Sequence, residues 1–203
     1  MIPLNSDFHK DLDWWREFLP TWNGTACFLQ PDWTRSDVLH LYTDASATHG
    51  LGAYCQGAWF QLHWPPWITE LQPCIEYLEM VPILLCVIVW GRKLAGMKVV
   101  FHCDNAGAMH AWESLRSVNR RVLDIMRRLV KAAAVAGMTL TLKHIAGINN
   151  EIADALSRFQ QRRFRRLAPQ AEQLPVDCPD IFPDLKAAFC NPRAERIAAG
   201  SYR

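Results

Sequence analysis

No CxxC pair occurs in this sequence, and its seven cysteines, at 27, 55, 74, 86, 103, 178 and 190, are odd in number and scattered. That argues against a zinc ribbon or a disulfide framework and favours a reducing intracellular compartment, cytoplasmic or nuclear. The basic-then-apolar layout of a secretory signal is missing from the opening, MIPLNSDFHKDLDWW. Long hydrophobic runs are missing too: the greasiest, VPILLCVIVW, is about half the ~20 residues that span a bilayer. The expectation is a soluble chain with no membrane partner. No internal repeat is found, which removes solenoids and propellers. Nor is there an excess of charge: the net value is +2, so the overall balance selects no partner.

What is present is a composition able to form a core. Of 203 residues, 50% are hydrophobic and 21% charged, enough for one ordinary domain with extensions. Phe8, Leu12, Trp15 and Leu19 recur at helical spacing over 6–19, with Ser6 or Asp7 as cap, followed by an irregular aromatic stretch, PTWNGTACFLQPDW. Residues 1–35 are read as a docking arm. DVLHLYTDAS, LGAYCQ and AWFQLHW then read as three strands, the last two joined by a tight Gln56-Gly57 turn. After Thr69 and Glu70 a long helix carries Ile75, Leu78, Pro82, Ile83, Cys86, Val87 and Trp90, with a kink expected at Pro82. MKVVFHCDN is a fourth strand, AGAMHAWES a short helix, 118–136 a second long helix ended by Gly137, MTLTLKHI a fifth strand and NEIADALSRFQQRRFRRL a last helix. The order implies an α/β fold, a five-stranded mixed sheet flanked by helices. The domain spans 36–168, with a Pro-rich linker and tail over 169–203.

Four acids stand at telling places on this frame. Asp44 ends the first strand, Asp104 ends the fourth, Glu79 lies among apolar neighbours on the first long helix, and Asp154 lies in the first turns of the last. Sites in α/β sheets form where the chain leaves strand ends, so these groups are expected to converge. Four adjacent carboxylates raise one another's pKa and need cations; hard divalent ions with oxygen ligands meet that need, and a pair about 3.5–4 Å apart suits cleavage of a phosphodiester. Each acid also has a plainer reading, as a turn former or a helix-dipole partner. Glu79 is preferred to Glu76, one turn earlier, because it sits on the apolar side.

The set YTDAS, GLGAY, LEMVPILL, CDNAGA and HIAGINNEIADALSR resembles the ribonuclease H domain of reverse transcriptases, in the order Asp, Glu, Asp, Asp. WWREFLPTWNG before it and SRFQ…FRRLAP after it are similar to retroelements of the DIRS type, which carry a tyrosine recombinase. The resemblance covers roughly 8–170 and implies a ribonuclease H-like fold. It implies endonucleolytic hydrolysis of the RNA strand of an RNA–DNA hybrid, with two Mg²⁺ (or Mn²⁺) held by Asp44, Glu79, Asp104 and Asp154. The products are a 5′-phosphate and a 3′-hydroxyl, and the RNA 2′-hydroxyl gives the strand choice. His144 takes the place of a loop histidine that shuttles protons or helps release product, although it continues a strand here. Ser46 and Asn105 become substrate contacts, with turn formation the plainer alternative.

Arg158, Arg162, Arg163, Arg165 and Arg166 crowd the end of the last helix and read as a phosphate-contacting strip, Arg158, Arg162 and Arg163 foremost. Arg120, Arg121, Arg127, Arg128 and Lys131 add charge on the second long helix. No polymerase aspartate pair precedes residue 36, so the expectation is a fragment or derivative of an element whose polymerase domain lies N-terminal to this segment. The tail AAFCNPRAERIAAGSYR reads as the remnant of a joint to a recombinase. The competing reading is a non-catalytic module of the same fold that binds or tethers nucleic acid.

Overall fold

In the computed structural model, residues 5–22 and 32–190 are described, and they fall into two units. The smaller joins the two ends of the chain, 1–26 and 181–203. In it α1, Ser6–Phe18, is capped by Asn5, whose side chain accepts the Phe8 N–H at 2.9 Å, one or two residues before the Ser6 or Asp7 cap expected. A second helix of this unit, Phe182–Cys190 (α9 in chain order), begins inside the stretch read as linker. The remainder of the aromatic stretch, at 23–31, and the tail beyond Cys190 lie outside the described residues.

The larger unit, 27–180, is a mixed α/β arrangement with six strands among its described residues: β1 Trp33–Arg35, β2 Leu41–Ala45, β3 Gly50–Cys55, β4 Ala58–His63, β5 Lys98–Cys103 and β6 Thr139–His144. The five-stranded ladder expected is replaced by two three-stranded ones. β2, β3 and β4 form an antiparallel meander, while β1, β5 and β6 pair in parallel with β5 at the centre. The reason lies in β5. β6 takes one edge along its whole length, and β1 takes Lys98–Val100 of the other, so β2 lies beside β5 without joining its ladder. The arm therefore ends in a strand, and the segment expected to open the first strand folds instead into a short helix, α2, Ser36–Leu39.

Around the strands lie α3 Pro66–Leu71, α4 Ile75–Trp90, α5 Ala106–Ser114, α6 Arg120–Ala136, α7 Glu151–Ser157 and α8 Gln161–Leu167. α4 is buried along almost its whole length and runs on through Pro82, which withholds the N–H that would meet the Leu78 carbonyl. Its partner α6 carries one apolar face and ends at Gly137, whose left-handed φ of 69° closes the helix. The single last helix expected is broken into α7 and α8 by Phe159, held at φ 58°. Among the described residues no helix is long and apolar enough to cross a membrane.

All six positions of β3 are buried, because helices cover both of its faces. Tyr54, on one face, packs with Trp59, Ala155, Leu156, Phe164, Ala168 and Ala171, the core that seats α7 and α8. The chain after α8 is fastened here as well: Trp59 Nε1 donates to the Glu172 carbonyl at 2.7 Å, and Val176 N donates to the Trp59 carbonyl at 2.7 Å.

Candidate active site

β2 delivers Asp44 to its penultimate position, where the carboxyl is only 5% exposed. Its register partner on β3 is Gly52. A Cβ at Gly52 would stand 2.4 Å from the Leu156 Cβ and 2.7 Å from the Ser157 N, so only a glycine lets α7 settle this close to the sheet. Two polar contacts fix the approach. Asn150 Nδ2 donates to the Thr43 carbonyl at 2.9 Å, pinning the start of α7 to β2, and Ser157 Oγ donates to Asp44 Oδ2. Asp154, three residues before Ser157 on the same helix, is thereby carried to the side of Asp44.

Asp104 follows the last residue of β5, and Glu79, also 5% exposed, comes from the middle of α4. Glu79, Cys103 and Asp104 each place one ligand atom within 4.8 Å of the others, a spacing at which a cation could be held. Electrostatics ties the acids together. Burial pushes Asp44 up to about 6; the Ser157 hydrogen bond opposes this, the charges of Asp104 and Asp154 add to it, and Arg158 opposes it weakly. Burial likewise drives Glu79 well above the usual carboxylate range, reinforced by Asp44 and Asp104 and partly offset by the Ala45 N–H. Cys103 is pushed up to about 12, chiefly by burial and then by Glu79, and stays a neutral thiol at physiological pH.

The donor set therefore fits a hard cation. Burial raises both Asp44 and Glu79, Asp44 adds to the elevation of Glu79, and among the described residues Asp44, Glu79 and Asp104 form no ion pair with Lys or Arg. A divalent ion supplies the missing positive charge and prefers such oxygens. Glu76 is not among the grouped ligand atoms: its Cγ and Oε1 crowd the start of α5, 2.7 and 2.8 Å from where a Cβ on Gly107 would be.

Asp154 behaves differently from its neighbours. Burial raises it, but Arg158 and Arg163 outweigh that, and its carboxyl lies below the usual range. Arg158 Nε donates to Oδ1 at 2.5 Å, and Arg163 Nη1 donates to Oδ2. Two of the arginines expected to meet phosphate thus rest on an acid of the site itself. Arg162 is exposed and makes no hydrogen bond or ion pair among the described residues. Arg165 is structural: it lies 5.2 Å over the rings of Trp59 and Phe164 and donates to the carbonyls of Ala171, Glu172 and Gln173.

The smaller expected contacts settle into local roles. Asn105 caps α5, accepting the Ala108 N–H at 2.8 Å. Ser46 is buried and shapes the 46–49 turn, its Oγ accepting the N–H groups of Thr48 and His49 and lying 3.2 Å from His49 Nδ1. His144 ends β6 as the register partner of Cys103, exposed at the strand end that leads to Asp104. Sequence reasoning missed Ser157, Cys103 and Asn150. For the serine, its place three residues after Asp154 was the available signal.

No protein-family model matches the chain, and neither the curated proteins nor the solved structures contain a match.

Proposed function

We propose that this chain is a ribonuclease H-like enzyme that hydrolyses the RNA strand of RNA–DNA hybrids with two divalent ions, Mg²⁺ or Mn²⁺. The observation that carries the reading is geometric: Glu79 from α4 and Asp104 from the end of β5 place ligand atoms within 4.8 Å of each other, and burial, with the charges of Asp44 and Asp104 added to it, raises Glu79. Buried like charges are costly to a fold, and structural acids are ordinarily paired with cations of the protein instead. Here β2 lies beside β5, and the charge of Asp104 is felt at both Asp44 and Glu79.

On this reading Asp44, Glu79, Asp104 and Asp154 hold the ions. When bound, the cations supply Lewis acidity at a phosphodiester and ease the ionisation of water. The protein's own groups do the rest. Ser157 favours the ionised form of Asp44 and orients it. Cys103 walls the site as a neutral thiol. Arg162, exposed beside α7, contacts phosphate, and His144 stands at the edge as a carrier of protons. Contact with the 2′-hydroxyl distinguishes the RNA strand.

The test is cleavage of a hybrid labelled on its RNA strand, with Mg²⁺ or Mn²⁺, by the wild type and by Asp104→Asn. RNA-strand cleavage by the wild type and its loss in the variant are expected. Equal cleavage by both proteins would remove the mechanism, and binding without cutting by the wild type would leave the non-catalytic tethering module.

A further inference from the structure

Among the described residues Asp154 is the acid of the four that forms ion pairs with arginine, and the partners come from two directions. Arg158 reaches it from one turn along α7, whereas Arg163 reaches it from α8, across the break at Phe159. Arg163 spreads further, its Nη2 lying 3.2 Å from Glu151 Oε1 and its Nη1 3.1 Å from Gln160 Oε1. The guanidinium therefore bridges the fourth carboxylate and a second acid of α7.

We infer that Arg163 is a displaceable latch: it neutralises Asp154 in the free protein and releases it when a nucleic-acid phosphate takes the guanidinium, so that substrate binding and cation loading promote each other. The inference rests on the proposed two-cation reading of the site and adds a coupling to it.

Three observations support exchange over a permanent structural pair. First, Arg163 is 31% exposed and Asp154 25%, against 19% and 6% for the Arg127–Asp124 pair on α6, so water and solutes reach the latch more easily. Ion pairs that solvent reaches are screened and contribute less to stability than buried ones, so they exchange more readily. Second, a guanidinium fork matches carboxylate and phosphate equally well, so a phosphate is a fair competitor for it. Third, the Asp154 carboxylate cannot give both oxygens to arginines and also serve fully as a cation ligand. Reciprocity then follows: whatever draws Arg163 away raises cation affinity, and a cation on Asp154 frees Arg163 for phosphate.

The experiment is Mn²⁺ binding to the full chain, followed by the electron paramagnetic resonance signal of free Mn²⁺. It is run with and without a short hybrid whose RNA strand is 2′-O-methylated but keeps every phosphate. Wild type is expected to bind Mn²⁺ roughly three- to fivefold more tightly with the hybrid, the range a solvent-accessible pair can supply. Arg163→Gln is expected to show that gain without hybrid and little more with it. Arg163→Lys, which keeps the charge but loses the fork, serves if the glutamine variant does not fold, and an intermediate affinity is expected. Mn²⁺ affinity that is the same in wild type and variants, or unaltered by hybrid in the wild type, overturns the latch while leaving the cation site standing. Absence of Mn²⁺ binding in every condition overturns the latch and the two-cation reading together.

Discussion

The hydroxyl of Ser157 donates to Oδ2 of Asp44 at 2.5 Å, joining residues 113 positions apart. With the Asn150–Thr43 bond, it is one of two polar links between the strand that offers the first acid and the helix that offers the last. It opposes the burial that raises Asp44. Ser157→Ala removes a donor to the ionised form, so the Asp44 titration is expected to move upward from about 6. Carboxyl ¹³C chemical shifts across pH measure it directly; an unchanged midpoint would mean that the hydroxyl does not support the carboxylate.

Stability without cations is expected to fall as pH rises. Asp44 and Glu79 have folded-state values above their ordinary ones of 3.8 and 4.5, so the folded state binds their protons more tightly than the unfolded state does. Their contribution is fully present below the ordinary values and is lost as pH climbs through the folded ones. For Asp44 alone the loss is about 3 kcal/mol between pH 3 and pH 8. Urea denaturation in EDTA at pH 5 and pH 8 should show the higher midpoint at pH 5, apart from other titrations. Mg²⁺ or Mn²⁺ should raise the pH 8 midpoint more than the pH 5 one, because cations and protons compete for the same oxygens.

Glu79→Gln separates the site from the fold. It removes a buried charge that neighbouring acids disfavour, so in EDTA at pH 8 the variant is expected to be at least as stable as wild type, with the stabilisation by Mn²⁺ lost. Glu76→Gln should leave the Mn²⁺ response intact. Thermal melts with and without Mn²⁺ on the three proteins distinguish the two glutamates, and the reverse pattern would reassign the ligand to Glu76.

Gly52→Ala is expected to destabilise by roughly 1–3 kcal/mol, the usual effect of forcing volume into a packed interior. The new Cβ meets the backbone of α7, which cannot swing aside as a flexible side chain can. As α7 is displaced, the Ser157–Asp44 bond should lengthen and Mn²⁺ binding weaken. Denaturation midpoints and Mn²⁺ titration of the same variant check both effects.

Much of this was legible in the sequence because the signals are local. Short apolar runs on either side of the Gln56-Gly57 turn mark β3 and β4, an uninterrupted apolar stretch marks α4, and the acids stand out because strand ends and apolar helix faces are poor places for an idle charge. What escaped depends on distant partners or on rare backbone. Nothing about an aromatic residue announces the left-handed φ of Phe159, a conformation that bulky side chains seldom adopt. β1 has only three residues and exists because β5 leaves part of an edge open. Asn105 and Ser46 allowed two readings, and the turn and cap chemistry that is satisfied within a few residues prevailed. The arginines after α7 could have met solvent, phosphate or an acid, and only the folded chain reveals that two of them meet Asp154.

The reversal at Phe159 has a consequence of its own. On an uninterrupted helix, nine residues separate Asp154 from Arg163 by about 13 Å of axial rise, beyond the reach of any side-chain handshake. By breaking the helix at one residue, the chain turns two remote positions into neighbours. Substitutions that straighten this corner would therefore erase the pairing while leaving every charge in place.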